Sequence, residues 1–122
     1  MADDVAELLR AMVRIDSVNS AISGRPRAED ALCGFLEAEA HRAGLATRRL
    51  PVEGGADELL VMHEVAPGLP WIVFDSHLDT VGVEGMTVDP FGGVIEGDRL
   101  LGRGACDTKG TGAAMLTALR EY

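Results

Sequence analysis

Four apolar residues, Trp71-Ile72-Val73-Phe74, run straight into Asp75-Ser76-His77-Leu78-Asp79-Thr80-Val81, and this junction constrains the chain more than any other stretch. A run without a polar residue reads as a central strand buried on both faces, which needs helices to cover it. His77 then sits where the strand ends and a loop opens. A second segment, Gly102-Arg103-Gly104-Ala105-Cys106-Asp107-Thr108-Lys109-Gly110, places Asp107 thirty residues beyond His77 and just before a stretch of small residues with helical spacing. One imidazole and one carboxylate can thereby reach a common cation.

The rest of the chain supplies elements to build around that strand. Val5, Leu8, Leu9, Met12 and Val13 recur at helical spacing after Asp3 and Asp4, where negative charge suits a helix N-terminus. The stretch from Ile15 through Ser23-Gly24-Arg25-Pro26 reads as loop, with Pro26 near the start of a second helix. Leu32, Phe35 and Leu36 mark the buried stripe of that helix, and Gly44 is placed to cap its end. Residues 45–50 and 59–65 read as strands, and residues 67–70 as a turn. Gly97-Asp98, between short apolar arms, marks a β-hairpin across residues 93–101. Gly112, Met115, Leu116 and Leu119 set a last helical stripe. Helices alternating with strands predict an α/β layered domain.

At 122 residues the chain fits one domain and leaves no room for a second full one. Twenty acids against eleven bases give a net charge of −9, which disfavours nucleic acid and anionic membranes as partners. No stretch approaches the ~20 apolar residues of a membrane span, and Met1-Ala2-Asp3-Asp4-Val5 has the wrong charge for a secretory leader. The expected location is cytoplasmic. Cys33 and Cys106 lack Cys-x-x-Cys spacing and read as free thiols. Lys109 is the only lysine, and it lies inside the second motif.

Zinc accepts histidine nitrogen and carboxylate oxygen, and a histidine at a strand's end is held stiffly enough to serve. In an extended segment residues i and i+2 point the same way, so Asp79 can accept the proton of the other His77 ring nitrogen, or of another catalytic group. That role makes Asp79 an orienter. The alternative is a strand-end histidine bonded to a neighbouring carboxylate, with no metal. Asp107 offers two oxygens and can bridge two cations about 3.5–4 Å apart, or it can simply cap a helix. A phosphate loop is excluded, because Lys109 precedes Gly110 where that pattern requires Gly-Lys-Ser/Thr.

Taken in order, residues 75–81, Asp89-Pro90-Phe91-Gly92 and residues 100–110 resemble the di-zinc amidohydrolase and exopeptidase family, which includes acetylornithine deacetylase, succinyl-diaminopimelate desuccinylase, aminoacylase and glutamate carboxypeptidases. Ser17-Val18-Asn19 after the opening helix extends the likeness over nearly the whole chain. The resemblance implies a layered helix–sheet–helix zinc-exopeptidase-like fold and hydrolysis of the amide bond of N-acyl amino acids or small peptides. It assigns His77 to one zinc, Asp107 to both, and Asp79 to a catalytic supporting place beside His77. The cofactor would be two zinc ions, with Co2+ or Mn2+ as substitutes. It also implies a cis peptide at Asp107-Thr108.

Departures from the family pattern matter as much. The Glu-Glu pair that supplies general base and ligand, a further carboxylate and a late histidine have no counterpart in residues 1–122. The family's dimerisation domain, through which a complete protein would form a homodimer, is absent too. The expectation is therefore an N-terminal portion of a catalytic domain, truncated and inactive alone. The rival is a non-catalytic folded domain or truncated gene product of the same family. His41 and His63 lie outside the motifs and are expected to be structural.

Overall fold

Asp4 opens the first helix as its chemistry dictates, its carboxylate accepting the Glu7 N–H at 2.8 Å, and α1 runs from Val5 to Val13. A computed structural model describes residues 4–122, so the expected contribution of Asp3 lies outside the described residues. Leu8, Met12 and Val13 are buried, as the helical spacing requires. The next segment departs from expectation: residues 20–23, read as loop, form a single helical turn, α2 (Ser20–Ser23). Asn19 caps it through its side chain, and Gly24 closes it in the left-handed region at φ 72°.

The helix α3 spans Asp30–Arg42. It begins four residues beyond Pro26, because residues 26–29 form a turn in which Arg27 reaches Asp30 and Asp57. Gly44, at φ 76°, follows the end of α3 as expected. The chain then turns back as β1 (Ala46–Leu50) and β2 (Glu58–Met62), antiparallel from Ala46↔Met62 to Leu50↔Glu58. A second ribbon, β3 (Val94–Glu96) with β4 (Arg99–Leu101), turns at Gly97-Asp98 as the sequence predicts. The last helix, α4, spans Gly110–Glu121.

Leu8 and Met12 of α1, Leu32, Leu36 and Ala40 of α3, Leu45, and Ala113 and Leu116 of α4 form one buried cluster. This mixture of helices and strands is the α/β class expected, with its strands in two separate two-stranded sheets. No described helix is long and apolar enough to cross a membrane.

One expectation is corrected. Trp71-Ile72-Val73-Phe74 forms no strand, and its residues are between 58% and 80% exposed. A central strand needs a hydrogen-bonded neighbour on each edge and cover on each face. Among the described residues β1 pairs with β2 and β3 with β4, so no strand lies alongside residues 71–74. The apolar composition specifies what the run would bury, and the partners decide whether it does.

Candidate active site

The segment carrying His77 is held from below by the residues that follow α1. Val18 and Thr80 form a parallel bridge, in which the Asn19 N–H donates to the Thr80 carbonyl at 2.8 Å and the Thr80 N–H to the Ser17 carbonyl at 2.9 Å. The buried Ser17 hydroxyl adds a third tie, to the Leu78 carbonyl at 2.7 Å. These bonds tie the backbone on either side of Asp79 to residues 17–19.

The glycine-rich segment comes against the same place because side chains are missing where backbones must pass. Gly104 lies at φ 82°, and a Cβ there would stand 2.7 Å from the Thr80 methyl group. The chain beyond it makes a kinked turn, Ala105–Lys109, in which Asp107 (φ −119°, ψ 97°) and Thr108 (φ −129°, ψ 21°) are not helical. The Asp107-Thr108 peptide is cis, as the family resemblance implies. The hydroxyls of Ser76 and Thr108 share a hydrogen bond of 2.7 Å, one residue away from His77 and from Asp107 respectively.

His77 Nε2 lies 3.0 Å from Asp107 Oδ1, so the thirty-residue separation in sequence collapses to one hydrogen bond. The other ring nitrogen, Nδ1, faces Asp79: its carbonyl oxygen lies at 3.0 Å and its carboxylate Oδ1 at 3.3 Å. Partial desolvation draws the imidazole pKa down. The bonds to the Asp79 carbonyl and Asp107 carboxylate, with the charges of both acids, outweigh it and raise the pKa above the ordinary histidine value. The Asp107 carboxylate is 84% exposed and stands free to take another partner. These groups line a cleft of about 230 Å³ together with Arg103 and the exposed Cys106.

The donor set suits a divalent metal as far as it goes. A histidine that gives its Nδ1 proton to a carbonyl or carboxylate directs Nε2 outward as a metal ligand, and here Nε2 already points at an exposed carboxylate. It goes no further than two side chains. Among the described residues no group of three or more histidine, cysteine, aspartate or glutamate side chains is placed to hold an ion.

Lys109 has a role that spacing alone does not reveal. Its side chain is buried, and Nζ donates to the Met12 carbonyl at 3.0 Å and the Ile15 carbonyl at 2.8 Å, at the C-terminal end of α1. Those carbonyls carry the negative end of the helix dipole, so a cation suits them. Burial pushes the ammonium pKa down to about 8, against the opposing pull of Asp16. The only signal in the sequence was that a chain with ten arginines kept one lysine, inside the motif. His41, whose Nε2 lies 2.6 Å from the Thr47 hydroxyl, and His63, edge-on to the Tyr122 ring, line no part of the cleft.

Residues 73–122, which contain His77, Asp79 and Asp107, match the family described as Peptidase family M20/M25/M40. Over this segment the chain is similar to that family. Relatives similar to this chain are named succinyl-diaminopimelate desuccinylase. That of Gluconobacter oxydans is 39% identical over 119 residues, covering 95% of this chain and 29% of the relative. Those of Rhodospirillum centenum and Beijerinckia indica are 35% and 33% identical over 127 residues, covering 100% of this chain and 31% of each relative. The chain thus spans less than a third of the length of these curated relatives.

Proposed function

We propose that this chain carries half of the metal site of an amidohydrolase, with His77 and Asp107 as ligands and Asp79 orienting His77. The observation that supports it best is the line of contacts from Asp79 through both ring nitrogens of His77 to the exposed Asp107 carboxylate. A divalent cation, zinc or in its place cobalt or manganese, supplies Lewis-acid activation of an amide and of water when bound. The protein's part is to present one nitrogen and one carboxylate rigidly, through the Ser17–Asn19 ties and the Ser76–Thr108 hydroxyls. The name shared by the relatives points to an N-acyl amino acid as substrate, with the amide bond to the acyl group as the one cleaved.

With two donors and no third ligand placed among the described residues, the 122 residues alone should bind metal weakly and turn nothing over, since lacking a general base alone removes a factor of roughly 10²–10⁴. The test is to measure zinc content and release of succinate or acetate from N-acyl amino acids on the same purified chain. Weak zinc binding, lost in both His77→Ala and Asp107→Ala, with no acid released, is the expected result. Binding unchanged by either substitution would sink the ligand assignment. Stoichiometric zinc at nanomolar affinity, or turnover abolished by His77→Ala, would show a complete catalyst instead.

A further inference from the structure

The Ser17-Val18-Asn19 segment supports the site so far only through its backbone and the Ser17 hydroxyl, yet the Asn19 side chain touches the site too. The side-chain Oδ1 accepts the Ala21 N–H at 2.8 Å, capping α2, while Nδ2 donates to Asp79 Oδ2 at 2.9 Å. Each contact dictates the same amide orientation. A backbone N–H needs an acceptor and a carboxylate needs a donor, so a flipped amide would lose both bonds. The Asn19 backbone is fixed as well, through its N–H to the Thr80 carbonyl. With Oδ2 of Asp79 taken by Asn19, the remaining oxygen, Oδ1, faces His77 Nδ1 at 3.3 Å and supplements the Asp79 carbonyl that lies 3.0 Å from the same nitrogen.

We propose that Asn19 is a positioning residue: it holds the Asp79 carboxylate in the orientation that engages His77 Nδ1 and leaves Nε2 directed at Asp107. Its functional meaning rests on the reading of His77 and Asp107 as metal ligands, whereas its geometry rests on the hydrogen bonds alone. The competing role is a plain helix cap. Asn19→Asp and Asn19→Ser separate the two, since both keep an acceptor favoured at a cap. Asp has the size of Asn and replaces the donor by an acceptor; the Ser hydroxyl ends one bond short.

The test uses the full 122-residue chain with ¹⁵N-labelled histidine, metal-free and at one pH, with helical circular dichroism confirming that each variant folds. Wild type is expected to show a slowly exchanging His77 Nδ1–H resonance. Both variants should exchange it faster and shift it, the Asp79 carbonyl at 3.0 Å remaining as an acceptor, while the His41 and His63 signals stay in place. Zinc affinity, measured by equilibrium dialysis, should fall about tenfold or more in Asn19→Ser, the size of effect seen when a partner of a metal-ligating histidine is removed. If resonance and affinity change only in Asn19→Ala, which lacks the cap as well, Asn19 is a cap and the proposal is overturned. A wild-type chain that binds no zinc counts against the metal reading, and the metal-free spectra still decide the role of Asn19.

Discussion

Residues 71–74 and 77–80 are neighbours in one stretch of chain, and they meet opposite fates. The first four are apolar and exposed, with no strand beside them among the described residues. The second four carry hydrogen bonds to Ser17, Asn19 and Asp107, and Thr80 is buried. The difference lies in what each kind of residue needs. A hydroxyl, amide or imidazole is satisfied by one or two well-placed partners, which a short return of the chain can provide. An apolar side chain gains in proportion to the area it removes from water, and that area needs a whole neighbouring surface. The site is therefore tied together by single contacts, while the apolar run that precedes it in the chain is uncovered.

If that contrast is right, the largest loss of stability comes from the one contact in the tied region that is also deeply buried. Lys109→Ala removes the donor shared by two carbonyls and leaves a void against α1. The expected cost is about 2–4 kcal/mol in urea unfolding, combining the two lost ammonium bonds with lost packing. A cost below ~1 kcal/mol would mean that water replaces the ammonium and that Lys109 does not tie the Asp107 turn to the helix.

This contact also marks where the sequence stops being legible. The helices α1, α3 and α4 and the Gly97-Asp98 hairpin were readable because their signals are local: apolar spacing, a capping glycine, a turn dipeptide. The turn α2 is too short for periodicity, and its residues read as loop. His77 and Asp107 were placed together by motif spacing and family resemblance, and they do meet. The amide of Asn19 and the ammonium of Lys109 were out of reach, since their partners lie 60 to 97 positions away and no local rule names them. Residues 71–74 show the converse: their composition describes a buried strand, and burial depends on surfaces the run itself does not encode.

A smaller effect belongs to the hydroxyl pair that flanks the two candidate ligands. Ser76→Ala or Thr108→Val alone should cost about 1 kcal/mol, the usual worth of a hydrogen bond with part-buried partners. The double variant should cost clearly less than the sum, because each single change already breaks the same bond. A coupling energy of about 0.5 kcal/mol or more from a double-mutant cycle supports a real tie between the motifs. Strict additivity would mean that the hydroxyls turn to water in solution and that the motifs are held only by Gly104, Lys109 and the His77–Asp107 bond.

The smallest effect is expected at the apolar run. Ile72 and Val73 are 79% and 80% exposed, so Ile72→Thr and Val73→Ser remove almost no buried area. Each should change stability by less than about 0.5 kcal/mol, in the range of ordinary surface substitutions. Had the run been a buried strand, the same changes would cost several-fold more, through lost transfer energy and a hydroxyl placed in an apolar setting. Urea unfolding at two protein concentrations distinguishes the cases that remain. Small, concentration-independent effects establish an open run beside a tied site. A cost above ~1.5 kcal/mol that grows with protein concentration would show that copies of the chain cover the run in solution, by the mass action that makes associated proteins more stable when concentrated.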